Sequence, residues 1–242
     1  VRRHAAAIAL FLLAACGRSH FDPCDPGGTV DAPAADTALD LTLGLKARYT
    51  FDDPAPDLFA DIAGTNDALC SSCPLQVGGR IGPGAINFAG TQCVFIPDAL
   101  ELRPTAFTIA MWMNPGNATG VLFARPLDGT NTNSNSIEML YDTSTTEIRI
   151  AVATLATSAA TPAGWTHVTA RYDGSILTLY VNGSYRSDRQ VGGIVYGVAD
   201  QHQIGCDYDT GSYVSGFTGS LDDLRFYDRA LDNAEISALA AM

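Results

Sequence analysis

The stretch WTHVTARYDGSILTLYVNG, residues 165–183, constrains the fold more than any other part of the chain. Its residues alternate in character with period two, the repeat of a strand. Asp173-Gly174 and Asn182-Gly183 are two-residue hairpin signals within it. With Asp173-Gly174 as the loop, Tyr172 faces Ser175, Ala170 faces Leu177, Val168 faces Leu179 and Thr166 faces Val181. These pairs gather one apolar face. The other face carries Arg171, Thr169, His167, Tyr180 and Trp165, and is polar and aromatic.

The same pattern repeats from Leu41 onward. LKARYTF, GAINFAG, CVFIP, FTIAMWM, GVLFAR, SIEMLY, EIRIAVAT, HQIG and SLDDLRFY all read as short strands between Gly, Asn and Asp turns. No amphipathic helix interrupts them until ALDNAEISALAAM at the end. There Asp232 stands three residues before Glu235, the spacing of a capping box, and Leu231 can act as the staple. The expected fold is therefore all-β, a two-sheet antiparallel sandwich with a short C-terminal helix.

The last strand poses a problem. In SLDDLRFY, plain alternation puts Asp222 in line with Leu224 and Phe226, and puts Leu221, Asp223, Arg225 and Tyr227 on the other face. A carboxylate on the apolar side is costly unless something compensates it.

The N-terminal stretch VRRHAAAIALFLLAAC has a basic start and an apolar run too short to span a membrane comfortably. It ends in Leu13-Ala14-Ala15-Cys16 and resembles the bacterial lipoprotein signal. The resemblance implies cleavage after residue 15, lipid on Cys16, and a place in the cell envelope. Gly17 after the cysteine favours the outer membrane. Residues 16–40 are rich in Asp, Pro and Gly and read as a tether. Residues 41–242 then form the domain.

The formal charge of −12 repels phosphates and argues against nucleic-acid partners. It suits solubility and divalent cations. Export would place Cys24, Cys70, Cys73, Cys93 and Cys206 where disulfides persist. CSSC at 70–73 lacks a second pair for zinc and a following helix for redox chemistry. It reads as structural, with Cys93 joined to Cys70 or Cys73.

FTIAMWM, GWTHVTARYDGSILTLYVNG, FTGSLDDLRFYDRALDNAEISAL and GRIGPGAINFAG together resemble the laminin-G-like jelly roll of the concanavalin A-like lectin/glucanase superfamily, over about residues 45–240. The resemblance implies jelly-roll topology and makes Trp112, Trp165 and His167 mainly packing residues. It also implies a calcium ion between the first and last strands. Asp222 would bind it with partners from the early acidic segment, where Asp52, Asp53, Asp61 and Asp67 cluster; Asp52 and Asp61 are the partners chosen. The family's Asp-x-x-Gly-x-Asn segment matches Asp61, Gly64 and Asn66.

Glucanases of this fold use a Glu-x-Asp-x-x-Glu strand, which is absent; Glu138 and Asp142 lack that spacing. GRIGPGAINFAG opens no helix and is not a phosphate loop. The chain therefore reads as non-catalytic. It is either a binding module for glycans or a cell-surface protein, or a structural and adhesion lipoprotein. Tyr141, Trp165, Tyr180, Tyr185 and Tyr208 are the candidate ligand contacts, because aromatic rings stack on sugar faces. The oligomeric state is not set by the sequence.

Overall fold

The computed structural model describes residues 39–53, 57–127, 135–197, 201–209 and 212–242. The signal, Cys16 and the tether up to residue 38 lie outside the described residues. In chain order the strands begin with β1 (Leu45–Tyr49), β2 (Leu58–Phe59), β3 (Ala68–Leu69), β4 (Leu75–Gly78), β5 (Gly84–Ala89) and β6 (Val94–Ile96). There follow β7 (Phe107–Pro115), β8 (Gly120–Pro126), β9 (Asn135–Asp142), β10 (Glu147–Val152), β11 (Leu155–Ala160) and β12 (Thr166–Tyr172). The last are β13 (Ile176–Val181), β14 (Ser184–Gln190), β15 (His202–Ile204), β16 (Asp207–Asp209), β17 (Ser212–Val214) and β18 (Thr218–Tyr227). Helix α1 (Asn233–Ala240) closes the chain.

Two antiparallel sheets face each other as a sandwich. The first runs β14-β13-β12-β7-β18-β5-β4, with β1 also paired to β18. The second runs β11-β10-β9-β8-β15-β6-β3-β2, and β16 and β17 form a separate ribbon. The core lies between the inner faces. Met111, Met113, Val168, Leu179, Leu221 and Phe226 come from the first sheet, and Phe123, Ile137, Met139, Ile150 and Ile204 from the second. Each fully buried side chain of this size contributes about 1.5–3 kcal/mol over leaving it in water.

The expected hairpin forms with a different register. Tyr172 pairs with Leu177, Ala170 with Leu179 and Val168 with Val181. The loop is wider because Asp173 Oδ1 accepts from the amides of Ser175 at 2.9 Å and Ile176 at 2.8 Å. A slip of two residues leaves every side chain on its expected face, so Val168, Ala170, Leu177 and Leu179 still line the core.

The face opposite them is not open. Helix α1 lies over it, and Tyr180 is buried with Ala110, Tyr227, Leu231, Ile236 and Leu239. The capping box holds the helix start: Asp232 Oδ1 accepts from Glu235 N at 2.9 Å, and Glu235 Oε2 from Asp232 N at 2.8 Å. Arg229 reaches the same glutamate and donates to Leu43 O at 2.8 Å, so the helix is tied to the chain before β1.

Asp222 is not in line with Leu224 and Phe226. On β18, Asp222 pairs with Trp112 but Arg225 pairs with Ala110, so one extra residue is inserted. Asp223 sits in this bulge with φ of 46°. A bulge slips the alternation by one. Leu221 and Leu224 both point into the core, while Asp222 shares the outer face with Trp112.

The disulfides also differ from expectation. Cys93 bonds Cys206, and Cys70 bonds Cys73. The reason is topological. β6 and β15 are antiparallel neighbours with Val94 opposite Ile204, which brings Cys93, just before β6, and Cys206, just after β15, to a Cα separation of 5.4 Å.

Candidate functional site

The outer face of the first sheet holds the expected acidic residues, and the protein itself satisfies most of them. Asp222 is fully buried, and its Oδ2 accepts from the amides of Arg80 at 2.6 Å and Ile81 at 2.8 Å. Its Oδ1 has no partner among the described residues. Burial outweighs the amides of Ile81, Arg80 and Asp223, which favour the charged form, and pushes its carboxyl up to about 6. Asp52 holds the far end of the same β4–β5 loop, accepting from Gly84 N at 2.8 Å. Gly82 lies between them with φ of 70°, and a Cβ there would sit 2.7 Å from the Asp52 carboxylate.

Asp61 works elsewhere. Its carboxylate accepts from the amides of Arg48, Ala63, Gly64 and Asn66 at 2.9–3.1 Å. So the Asp-x-x-Gly-x-Asn segment is a loop folded around its own aspartate. A calcium ion needs six to eight oxygens. Asp52 and Asp222 are turned to one loop and Asp61 to another. Among the described residues no group of three or more His, Cys, Asp or Glu is placed to hold a metal. These three side chains do not fit as a calcium cage.

The neighbouring charges are paired. Asp223 lies between Arg48, at 2.7 Å, and Arg225, at 2.8 Å, and Asp223 and Arg225 are both buried. His167 packs edge-on against Trp112, and burial, helped by Arg225, brings its pKa down to about 4. The Arg80 guanidinium covers Trp112 at 4.3 Å.

The five aromatic candidates do not converge. Tyr141 lies in the core and Tyr180 beneath α1, where its hydroxyl meets Asn233 Oδ1 at 2.8 Å. Trp165 is half-buried just before β12. Tyr185 is 56% exposed on the edge strand β14 and donates to Asp188 at 2.9 Å. Tyr208 is half-exposed on β16.

A second constellation lies on the outer face of the second sheet. β9 carries its own bulge: Arg125 pairs with Ile137 and Pro126 with Asn135, leaving Ser136 as the extra residue. The slip brings Asn135 and Glu138 to the same outer face. β16 packs over β8, and Asp207 and Asp209, two apart, point to one side of the ribbon. Asn135 Nδ2 donates to Asp207 Oδ2 at 2.7 Å and to Glu138 Oε2 at 3.3 Å. Arg149 pairs with the other oxygen of Glu138. Gln203 shares this face, because Ala124 is opposite both it and Glu138.

Donors run short here. Among the described residues, Asn135 Oδ1, Gln203 Oε1, Asp209 Oδ1 and the Ser136 hydroxyl are buried atoms with no hydrogen-bond partner. Buried polar groups rarely go unpaired in proteins. Asp209 is pushed up by burial, then by Asp207 and Glu138. In the sequence Glu138 stands out only as half of a possible catalytic pair, and Asn135, Arg149, Gln203, Asp207 and Asp209 carry no signal. A one-residue bulge leaves no mark on the composition of SIEMLY that would have shown Asn135 and Glu138 side by side.

The antiparallel two-sheet sandwich defines the class: a jelly roll. The chain belongs to the concanavalin A-like lectin/glucanases superfamily, whose family model matches residues 88–237. Among solved structures it is similar to domain 4 of AbnA, a GH43 extracellular arabinanase from Geobacillus stearothermophilus, in complex with arabinotriose. That match has 18% identity and a TM-score of 0.60, over 81% of this chain and 98% of that one. The Trypanosoma rangeli sialidase matches at 17% identity and a TM-score of 0.62, over 82% of this chain and 32% of that one. The binding domain of botulinum neurotoxin DC in complex with SialylT matches at 9% identity and a TM-score of 0.63, over 84% of this chain and 52% of that one. At these identities the likeness is one of fold. No curated protein sequence matches the chain.

Proposed function

We propose that the domain is a non-catalytic glycan-binding module that uses the outer face of the second sheet. The observation that carries this reading is the half-exposed rim of that face, where the carboxylate of Asp209 stands near those of Glu138 and Asp207. Sugar hydroxyls are donors, and half-exposed carboxylates are acceptors they can reach. Two of the solved relatives are complexes with arabinotriose and SialylT, which supports a glycan as the kind of partner. Both oxygens of Glu138 and of Asp207 are engaged by Arg149, Asn135 and the Tyr208 amide. That engagement suits side chains that shape a site more than ones that exchange protons. We further propose that the lipobox-like segment displays the domain on the cell envelope. Cys16→Ser should then release it from membranes.

The test is a glycan array read with the full chain and two variants. Asp209→Asn removes a charge from this rim and should weaken binding at least several-fold with little change in melting temperature. Tyr185→Ala, at the edge of the first sheet, should leave binding intact. If Tyr185→Ala abolishes binding and Asp209→Asn does not, the site belongs on the first sheet instead.

A further inference from the structure

The two edges of the first sheet are not alike. β14, at one end, carries Arg186, Asp188 and Arg189. Charges on an edge strand keep other chains from pairing with it. β4, at the other end, reads LQVG, and residues 71–79 hold no charge. Leu75 is 71% and Val77 37% exposed, and Gln76 and Gly78 are exposed as well. The strand is nonetheless held firmly from within. Gln76 Nε2 donates to Phe51 O at 3.0 Å and to Asp53 O at 3.1 Å, and the Cys70–Cys73 disulfide stands just ahead of Pro74 and β4.

The pairing with β5 says which backbone groups stay open. Val77 stands opposite Ala85, Gly78 opposite Gly84, and Gly79 N donates to Pro83 O at 3.3 Å. In an antiparallel ladder alternate residues turn both backbone groups to the partner strand. Gly79, Val77 and Leu75 therefore face β5, and the N–H and C=O of Gln76 and Gly78 point away from the sheet. We infer that β4 is an interface for a second copy of this chain, which adds its own β4 antiparallel about a two-fold axis at Val77. Gln76 of each copy then exchanges both ladder hydrogen bonds with Gly78 of the other. The two Val77 side chains meet on the axis, and each Leu75 lies beside Gly79 of the other copy, which has no side chain to obstruct it. The edge is thus self-complementary, as a two-fold interface must be. Its lack of charge matters, because two copies of a chain of formal charge −12 repel wherever their charges meet. The inference is independent of the glycan reading, whose face lies on the second sheet.

A pair of four-residue strands is a small interface, so the dimer should be weak, dissociating in the micromolar range. Sedimentation equilibrium of the full chain in mild detergent, with free thiols alkylated, should show monomer passing to dimer as concentration rises. Val77→Lys sets two like charges on the axis and should weaken the dimer by about tenfold or more. Gly78→Pro removes an outward N–H at a position where a Cβ meets nothing within 4 Å, and should do the same. Leu100→Lys, at an apolar residue 81% exposed and outside β4, should leave the dimer unchanged. Melting curves check that the variants fold. Oxidation of unalkylated protein reads the register. Val77→Cys should cross-link readily, because the Cα atoms of a non-hydrogen-bonded pair lie about 4.5 Å apart. Leu75→Cys, opposite a glycine, should stay at the background of the unsubstituted chain. A chain that remains monomeric throughout overturns the inference. So does a dimer that survives both β4 variants, one that Leu100→Lys also dissolves, or cross-linking of Leu75→Cys as readily as Val77→Cys.

Discussion

The outer faces of the two sheets use the same residue types to opposite ends. On the first sheet, Asp223 is held by Arg48 and Arg225, Asp222 by two loop amides, and α1 covers the aromatic patch around Tyr180. Charges there are paired within the fold, although Asp222 Oδ1, Trp112 Nε1 and Arg171 Nε have no partner among the described residues. On the second, Asn135, Gln203 and Asp209 keep oxygens that nothing in the described chain satisfies. Polar residues on a sheet face thus reveal little by their identity. The two faces differ in their cations: Arg48 and Arg225 hold Asp223 on the first, whereas on the second Arg149 holds Glu138 and the described residues pair no cation with Asp207 or Asp209.

The largest effect should come from cutting what fastens the second sheet covalently. Cys93–Cys206 closes a span of 113 residues. Losing it should lower stability by about 4–5 kcal/mol in the chain-entropy model. Denaturant unfolding of Cys93→Ser with Cys206→Ser measures this. Removing Cys70–Cys73, only three residues apart, should cost far less.

Asp223→Asn comes next. It leaves Arg48 and Arg225 facing a neutral side chain in a largely buried setting, and breaking such a pair costs about 3–5 kcal/mol. A loss below 1 kcal/mol would show that the first face is no more tightly fastened than an ordinary surface, and the contrast between the faces would collapse.

Asp222→Asn should act in the other direction. The folded carboxyl titrates near 6, above its ordinary value, so the native state binds more protons than the unfolded chain in between. Its contribution to stability therefore falls as pH rises from about 4 through 6. The asparagine keeps an acceptor for Arg80 and Ile81 and carries no charge. It should flatten that slope and raise stability at pH 7 by an amount on the order of 2 kcal/mol. Thermal melts of both proteins between acid and neutral pH check the sign. Repeating them with calcium and with chelator should give matching curves; a calcium-dependent rise lost in Asp222→Asn would restore the cation reading of this residue.

The smallest expected effect is the most diagnostic. Asp209→Asn should not lower stability and should raise it slightly at neutral pH, because burial, Asp207 and Glu138 all disfavour its charge and the described residues pair no cation with it. Equal losses in Asp209→Asn and Asp223→Asn would erase the distinction between the two faces.

Much of the architecture was legible before any coordinates. Alternation located β7, β12, β13 and β18, the Asp232–Glu235 spacing located the helix cap, and the combined motifs carried the family resemblance. The short strands β2, β3 and β4, and the charged edge strand β14, were missed because two to four residues, or a strand without an apolar face, show too little periodicity to register. Tyr141 and Tyr180 were expected at a ligand surface, yet one faces the core and the other lies under α1. A residue's type does not reveal whether a distant element will cover it.

Legible in the residues alone are the longer strands, their antiparallel arrangement and the capped helix that ends the chain. Those are local matters of side-chain period and turn chemistry. Only the tertiary structure decided which face each key residue occupies. Asp222 and Leu224 part company because β7 pairs with β18 around an extra residue, and Asn135 joins Glu138 because β8 does the same to β9. Cys93 meets Cys206 because β6 lies beside β15. Each outcome depends on the partner strand, whose register is fixed by packing across the whole sandwich and has no signature in the residues it displaces.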